Sequence, residues 1–197
     1  MSEHLTGHAD AYRSGRALGI QPLKLGMWLF LASEVMFFGG LISAFLHYKV
    51  NNPSPESGLL DVPLVGVNTF LLLTSSFTVV LGLTAIRQGD RRGLIRFLAA
   101  TALLGAAFLG GQAYEFVSLY GHGVTLNGSL FGSSFFTLTG FHGLHVLIGL
   151  VWALSTLAGA ARGRYTADRF EGVEVFGLYW HFVDVVWIVL FTIIYLV

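Results

Sequence analysis

Five apolar stretches dominate the sequence, and each is long enough to cross a lipid bilayer as a helix. A bilayer core of about 30 Å needs about 20 apolar residues, because a helix rises about 1.5 Å per residue. Short segments rich in Asn, Pro, Gly and charged residues separate the stretches. We therefore predict an all-α integral membrane bundle of five transmembrane helices over residues 25–197, near 25–48, 63–86, 94–119, 133–160 and 173–197.

The composition excludes the soluble classes of protein. Hydrophobic residues make up 54% of the chain and charged residues 11%, against about 25% charged in a soluble domain. The 11 basic and 11 acidic residues cancel, so no positive excess is left to hold a nucleic-acid backbone. The chain has no Cys, which excludes disulfides, thiolate metal sites, iron–sulfur clusters and Cys nucleophiles.

The distribution of basic residues predicts the orientation of the bundle. Residues 1–24 form a polar segment without the apolar core and cleavage site of a signal peptide, so we expect the first helix to direct insertion. If the N-terminus is inside, Lys49 alone faces outside, and ten basic residues share the inner side: Arg13, Arg16, Lys24, Arg87, Arg91, Arg92, Arg96, Arg162, Arg164 and Arg169. The positive-inside rule then places the N-terminal segment in the cytoplasm and the C-terminus outside.

Small residues on the predicted helices indicate close packing. Ala102, Ala106 and Gly110 form a ridge of small residues spaced four apart, and Ala107 and Gly111 form a parallel one. Such ridges let helix backbones approach one another. We expect similar approaches at Gly39, Gly40, Gly140, Gly143 and Gly149.

Polar groups also occur where the membrane should be most apolar. A charged residue at a helix centre costs roughly 2.5–3.5 kcal/mol on insertion scales, so each one needs a reason. Counting along the helices places Glu115 and His47 near the outer interface, where polar groups cost little. The same count places five groups in the middle of the bilayer: Glu34, His142, His145, His181 and Asp184.

Three interpretations of these five groups stay open on the sequence alone. The first is hydrogen bonding between helices, with Asp184 or Glu34 accepting from His or Trp N–H groups. The second is a lipid-headgroup or proton site around Glu34. The third is a bis-His haem or metal site, for which His145 and His181 are the two histidines at similar depth on separate helices.

Three long motifs give the chain a resemblance to a known family. The runs GMWLFLASEVMFF (26–38), GSSFFTLTGFHGLHVLIG (132–149) and YWHFVDVVW (179–187) resemble subunit III of haem–copper oxidases, above all of cytochrome c oxidase. Weaker matches connect them: LLLTSSFT (71–78), GQAYEF (111–116) and EGVEVFGL (171–178). The resemblance covers nearly the whole chain from Lys24 onward.

The resemblance implies a non-catalytic subunit of a respiratory oxidase that reduces oxygen to water. Such a subunit carries no haem, copper or other metal itself. It packs against the catalytic subunit I, and subunits I and II contain the haem and copper. It also binds phospholipid in a cleft. It supports proton uptake and oxygen access and protects the complex from inactivation during turnover. The implied location is the plasma membrane of a bacterium.

The family motifs also imply roles for single residues. Glu34 matches a membrane-buried carboxylate that reacts with hydrophobic carbodiimide. Arg162, Arg164 and Thr166 match positions near lipid phosphates. The histidines 142, 145 and 181 and Asp184 match motif residues whose role is structural, as a polar network in the membrane.

Two further expectations concern the complex. Many members of the family have seven helices, and the two that are missing here form one wall of the lipid cleft, so a small subunit is expected to supply that wall. The segment TGFHGLHV and Glu34, where quinol oxidases often have Asp, favour cytochrome c as the electron donor of an aa3-type enzyme.

A quinol oxidase subunit and a homologue associated with nitric oxide reductase are the alternatives within the family. A membrane cytochrome and a stand-alone proton carrier built on Glu34 and Asp184 are the alternatives outside it.

Overall fold

The computed structural model describes residues 22–51 and 60–196, and five long helices make up most of these ranges. A π-helical turn, Thr192–Leu196, follows the fifth helix directly. All five helices are long and apolar enough to cross a membrane, which confirms the predicted five-helix, all-α bundle. Their bounds are α1 Pro22–Asn51, α2 Val62–Arg87, α3 Arg91–Gly121, α4 Leu130–Ala161 and α5 Glu171–Phe191.

The polar N-terminal segment lies almost entirely outside the described residues, together with Arg13 and Arg16. Its extent as a separate segment and the inside–outside orientation of the bundle both stay predictions.

Local sequence signals determine where the helices begin and end. The side chains of Asp61, Asp90 and Ser129 each accept a hydrogen bond from the backbone N–H three residues later, at 3.1, 2.9 and 2.9 Å. These bonds satisfy donors that the first turn of a helix leaves without partners. Gly89 and Gly163 follow α2 and α4 with φ of 79° and 77°, a conformation that favours glycine and ends a helix.

The fifth helix, α5, and the fourth, α4, each pack against three other helices. α5 packs against α1, α2 and α4, and α4 packs against α1, α3 and α5, whereas α3 packs against α2 and α4. α5 is also the most buried of the five helices, and α1 is the most exposed. The N-termini of α1, α3 and α5 and the C-termini of α2 and α4 therefore lie together. We call this the basic end, because Lys24, Arg87 and Arg91 make contacts there.

Trp180 connects α5 to three other helices. Its side chain is fully buried, and its indole N–H donates to the Oγ of Ser75 on α2 at 2.9 Å. The ring lies between Gly105 of α3 and Gly149 of α4, where an added Cβ would come within 2.8 and 2.7 Å of ring atoms. Only glycine leaves room for the indole at these two positions.

Trp187 repeats this arrangement two turns further along α5. Its indole N–H donates to the Oγ1 of Thr69 on α2 at 2.9 Å. Its ring packs edge-on against Phe108 of α3 at 4.9 Å and stacks on His142 of α4 at 4.8 Å. These two indole N–H groups thus go to hydroxyl groups of α2, whereas the sequence left Asp184 or Glu34 open as acceptors for His or Trp N–H groups.

The glycines used for close packing differ in part from the predicted ones. Gly149 is confirmed as a contact position, but a Cβ on Gly40 or Gly110 would meet nothing within 4 Å. On α3 the predicted contact at Gly111 is confirmed, since an added Cβ there would lie 2.6 Å from the Asn68 side chain, whereas the contact at Gly105 was not predicted. The predicted ridge is wrong at Gly110 because α3 turns a different face to its neighbours.

This packing predicts a selective cost for enlarging glycine. Gly149→Ala places a methyl group against the rigid indole of Trp180 and is expected to destabilise the fold by about 1–3 kcal/mol, as overpacking does. Gly110→Ala is the matched control, since nothing lies near its Cβ position. Unfolding of the purified chain in mixed micelles with increasing denaturing detergent measures both. Equal stability of the two variants would contradict the predicted role of Trp180.

Candidate functional site

Glu34 and His145 form a pair between α1 and α4. The distance from Oε2 of Glu34 to Nε2 of His145 is 3.2 Å, and both side chains are mostly buried, with 17% and 13% exposed. The other ring nitrogen of His145, Nδ1, lies 2.7 Å from the carbonyl oxygen of Phe141. A carbonyl only accepts hydrogen bonds, so Nδ1 carries a proton.

With this geometry, a hydrogen bond between the two side chains requires one further proton. With Nδ1 protonated, Nε2 and the carboxylate can share a hydrogen bond only if one of them also bears a proton. Two states meet this condition. In one, His145 is neutral and Glu34 is protonated; in the other, His145 is an imidazolium ion and Glu34 is a carboxylate. Phe38 packs edge-on against the imidazole at 5.0 Å and limits access of water. The site can therefore store a proton or exchange one with a neighbour.

His181 and Asp184 interact with α2. The Nδ1 atom of His181 forms a hydrogen bond with the Oγ of Ser76. Asp184 lies three residues further along α5 and is 3% exposed, and Ser76 is the nearby hydroxyl group on α2. Neither carboxylate oxygen has a hydrogen bond of good geometry among the described residues.

The structure separates the predicted histidines. His145 contacts Glu34 of α1, whereas His181 contacts Ser76 of α2, so the two do not form a joint ligand pair. His142 is fully buried against Trp187, and both of its ring nitrogens lack a partner among residues 22–51 and 60–196. In those same ranges no group of three or more His, Cys, Asp or Glu side chains is placed to hold a metal ion.

A groove of about 470 Å³ opens at the basic end between α1, α4 and α5. Arg164 lies at its rim, and its backbone N–H donates to the carbonyl of Gly159 at 3.0 Å. Apolar side chains line the wall, among them Phe30 of α1 and Trp152 of α4. Glu34 lies one helical turn beyond Phe30. A cationic rim with an apolar wall is the arrangement that suits a phospholipid.

Arg162 and Thr166 lie near this groove but do not line it. Arg162 caps the end of α4 and is exposed. Thr166 pairs with Arg169 through backbone hydrogen bonds of 3.2 and 3.0 Å. Of the three positions, the structure brings only Arg164 into the groove.

A second groove, of about 270 Å³, opens between α1, α2 and α5. Glu174 of α5 forms a salt bridge with Lys24 of α1 and another with Arg87 of α2, where Nη2 and Oε1 are 2.5 Å apart. All three residues line the groove, and so does His181. The groove therefore extends from the charged groups at the basic end to His181, which is hydrogen-bonded to Ser76.

A buried pair that the sequence did not predict lies at the opposite end of the bundle. Glu115 is only 5% exposed, and the hydroxyl of Tyr195 lies 2.9 and 2.8 Å from its two carboxylate oxygens. Next to Tyr195, the Nζ of Lys49 donates to the carbonyl of Ile193 at 2.8 Å. Glu115 and Tyr195 are 80 residues apart, so no local pattern joins them. The depth count alone suggested an inexpensive interfacial position for Glu115.

The pair predicts a marked cost for removing one hydroxyl group. Tyr195→Phe leaves the buried Glu115 without its donor, and we expect a loss of about 1–3 kcal/mol in the free energy of unfolding. Tyr120→Phe is the control, because Tyr120 is 69% exposed. Detergent unfolding followed by circular dichroism measures both, and an unchanged Tyr195→Phe variant would contradict the role of the pair.

Comparison with known proteins identifies the family. The family model for cytochrome c oxidase subunit III matches residues 10–197. The chain is 42% identical to cytochrome c oxidase subunit 3 of Thermostichus vulcanus over 175 residues, which cover 87% of this chain and 86% of the relative. It is 47% identical to the subunit 3 of Synechocystis sp. over 175 residues, or 87% and 74% of the two chains. For the subunit 3 of Bacillus subtilis the identity is 44% over 180 residues, or 87% and 84%. The chain belongs to the cytochrome c oxidase subunit III family.

Proposed function

We propose that this chain is the non-catalytic subunit III of an aa3-type cytochrome c oxidase in an aerobic respiratory chain. The observation that carries the proposal is the family match over residues 10–197, which includes all five helices. In this role the chain contains no redox centre. It supports the reduction of oxygen to water by stabilising a catalytic subunit that holds the haem and copper.

The proposed setting is the plasma membrane of a bacterium. α1 leaves a wide apolar face exposed, including Val35 at 57% and Met36 at 78%. Such a face suits lipid or another membrane helix. We propose subunit I as the direct partner, with subunit II in the same complex and a small subunit as the missing wall of the lipid cleft.

We further propose that the groove at Arg164 binds a structural phospholipid. The guanidinium group would pair with the phosphate, since Arg binds phosphate through paired hydrogen bonds. The acyl chains would lie against Phe30 and Trp152 and extend toward Glu34. Arg162 and Thr166 would contribute to the same headgroup region without lining the groove.

The Glu34–His145 pair is the proposed proton-related element of the subunit. It holds a proton within the membrane and lies one helical turn beyond the proposed lipid. Loss of the pair would then affect lipid retention and the durability of turnover more than assembly. His142, by contrast, would serve packing, since it stacks on Trp187 within the aromatic core.

Purification from the native membrane tests the assignment to an oxidase. We expect the tagged chain to copurify in mild detergent with a large subunit and to show haem a bands in a reduced-minus-oxidised spectrum. The accompanying chains identify the electron donor and so distinguish cytochrome c from quinol. A colourless chain without partners would contradict the proposal. A haem b band that belongs to the chain alone would contradict the non-catalytic role.

Two substitutions test the lipid and proton roles within that complex. Arg164→Ala is expected to reduce the phospholipid that copurifies, and Arg92→Ala is the matched control, since Arg92 is exposed on α3 and does not line the groove. Glu34→Ala is expected to leave assembly intact but to shorten the period of steady oxygen consumption. Mass spectrometry of bound lipid and an oxygen electrode provide the measurements. If Glu34→Ala retains both wild-type lipid and wild-type durability, Glu34 has neither role.

A further inference from the structure

A chain of polar groups leads from the basic end into the middle of the bundle. Glu174 and His181 both line the groove between α1, α2 and α5. They are seven residues apart on α5, which corresponds to about 10 Å along the helix axis. Beyond His181 lie Ser76, which is hydrogen-bonded to His181, and then Asp184, one helical turn further along α5 and near the Ser76 hydroxyl. It thus joins the water-facing end to a carboxyl group in the membrane.

Asp184 is the least satisfied acid among the described residues. Its side chain is buried, and both oxygens lack a hydrogen bond of good geometry. Burying an ionised carboxylate without partners costs several kcal/mol, so the environment favours the neutral acid. The charged groups that line the groove, namely Lys24, Arg87 and Glu174, satisfy one another in salt bridges at its mouth. The remaining titratable group nearby on α4, His142, is turned toward Trp187.

Ser76 has the right chemistry to connect the acid with the imidazole. A hydroxyl group can accept one hydrogen bond while it donates another. It can accept from the acid O–H of Asp184 and donate to Nδ1 of His181, whose Nε2 then carries the ring proton. With the acid O–H of Asp184 turned toward Ser76, a continuous series of donors and acceptors would join Asp184 to the groove.

We propose that Asp184 is a proton-exchanging site that communicates with the basic end through Ser76 and His181. In the outward step the acid proton passes to Oγ of Ser76, the hydroxyl proton passes to Nδ1 of His181, and the Nε2 proton leaves to water in the groove. Asp184 becomes a carboxylate, His181 changes tautomer and Ser76 is unchanged. The reverse order of steps restores the acid, so no other reactant is needed.

The site is a property of the chain itself and does not rest on its role in an oxidase. Its test therefore uses the full chain in lipid nanodiscs and no measurement of oxygen consumption. A chain that fails to assemble with an oxidase could still show the site, and an oxidase subunit could lack it.

Infrared spectroscopy during transfer into D2O tests the proposal. The C=O stretching band of a protonated acid identifies Asp184, because it should be absent in Asp184→Asn. Its shift with time measures proton exchange. We expect Ser76→Ala and His181→Phe each to slow the exchange by about tenfold, the effect of losing a hydrogen bond of about 1.4 kcal/mol. Ser75→Ala is the control, because the neighbouring Ser75 binds Trp180 and is not in the series.

Two results would overturn the proposal. A folded Asp184→Asn variant that loses no acid band would mean that Asp184 is ionised. Unchanged exchange in both Ser76→Ala and His181→Phe would mean that protons reach Asp184 by another route. If Asp184→Asn does not fold, the band that changes frequency in Ser76→Ala identifies the acid instead, since this substitution removes its partner. If no acid band then changes, the proposal is wrong.

Discussion

The hydrogen bonds that α5 makes with α2 are the interactions on which the rest of the bundle depends. Trp180 and Trp187 each donate one indole N–H to a hydroxyl group, those of Ser75 and Thr69. The bilayer core offers no water to replace these partners, so each bond also determines how α5 is rotated. With that rotation fixed, the two indoles fill the space between α2, α3 and α4, and the facing glycine positions have room for nothing larger.

The same rotation divides the polar groups of the membrane region into separate sites. His145 faces α1 and pairs with Glu34, whereas His181 and Asp184 face Ser76 of α2. Each site has its own groove at the basic end, one bordered by Arg164 and the other by Glu174 with its two cationic partners. The proposed lipid site at Arg164 and the proposed proton-exchanging site at Asp184 therefore use different side chains.

Much of the fold and part of the candidate site could be predicted from the sequence. The apolar stretches predicted the five helices, and the bounds of the first four agree with the structure to within three residues. Family motifs pointed to Glu34 and Arg164, which the structure places near the same groove. They also pointed to His142 together with His145, whose spacing of three suggested a shared face. In the structure the angle around the helix axis between these two positions gives them different partners. His142 stacks on Trp187 of α5, and His145 pairs with Glu34 of α1.

The Glu115–Tyr195 pair shows where such prediction ends. A depth count treats each helix alone, so it recorded Glu115 as interfacial and could not detect a hydroxyl group 80 residues away. Gly110 and Gly111 raise the same difficulty, because both lie on predicted ridges of small residues and only Gly111 meets a neighbouring helix. Hydropathy, caps and turn glycines act within a few residues of themselves, and the sequence by itself therefore determined the number of helices, their ends and the family. Other features depend on how helices distant in sequence are rotated and which of them are adjacent. These features are the pairing of polar groups, the glycines that contact a tryptophan ring, and the arginine at the edge of a groove. Only the tertiary structure decided these features, because each requires side chains from separate helices to meet.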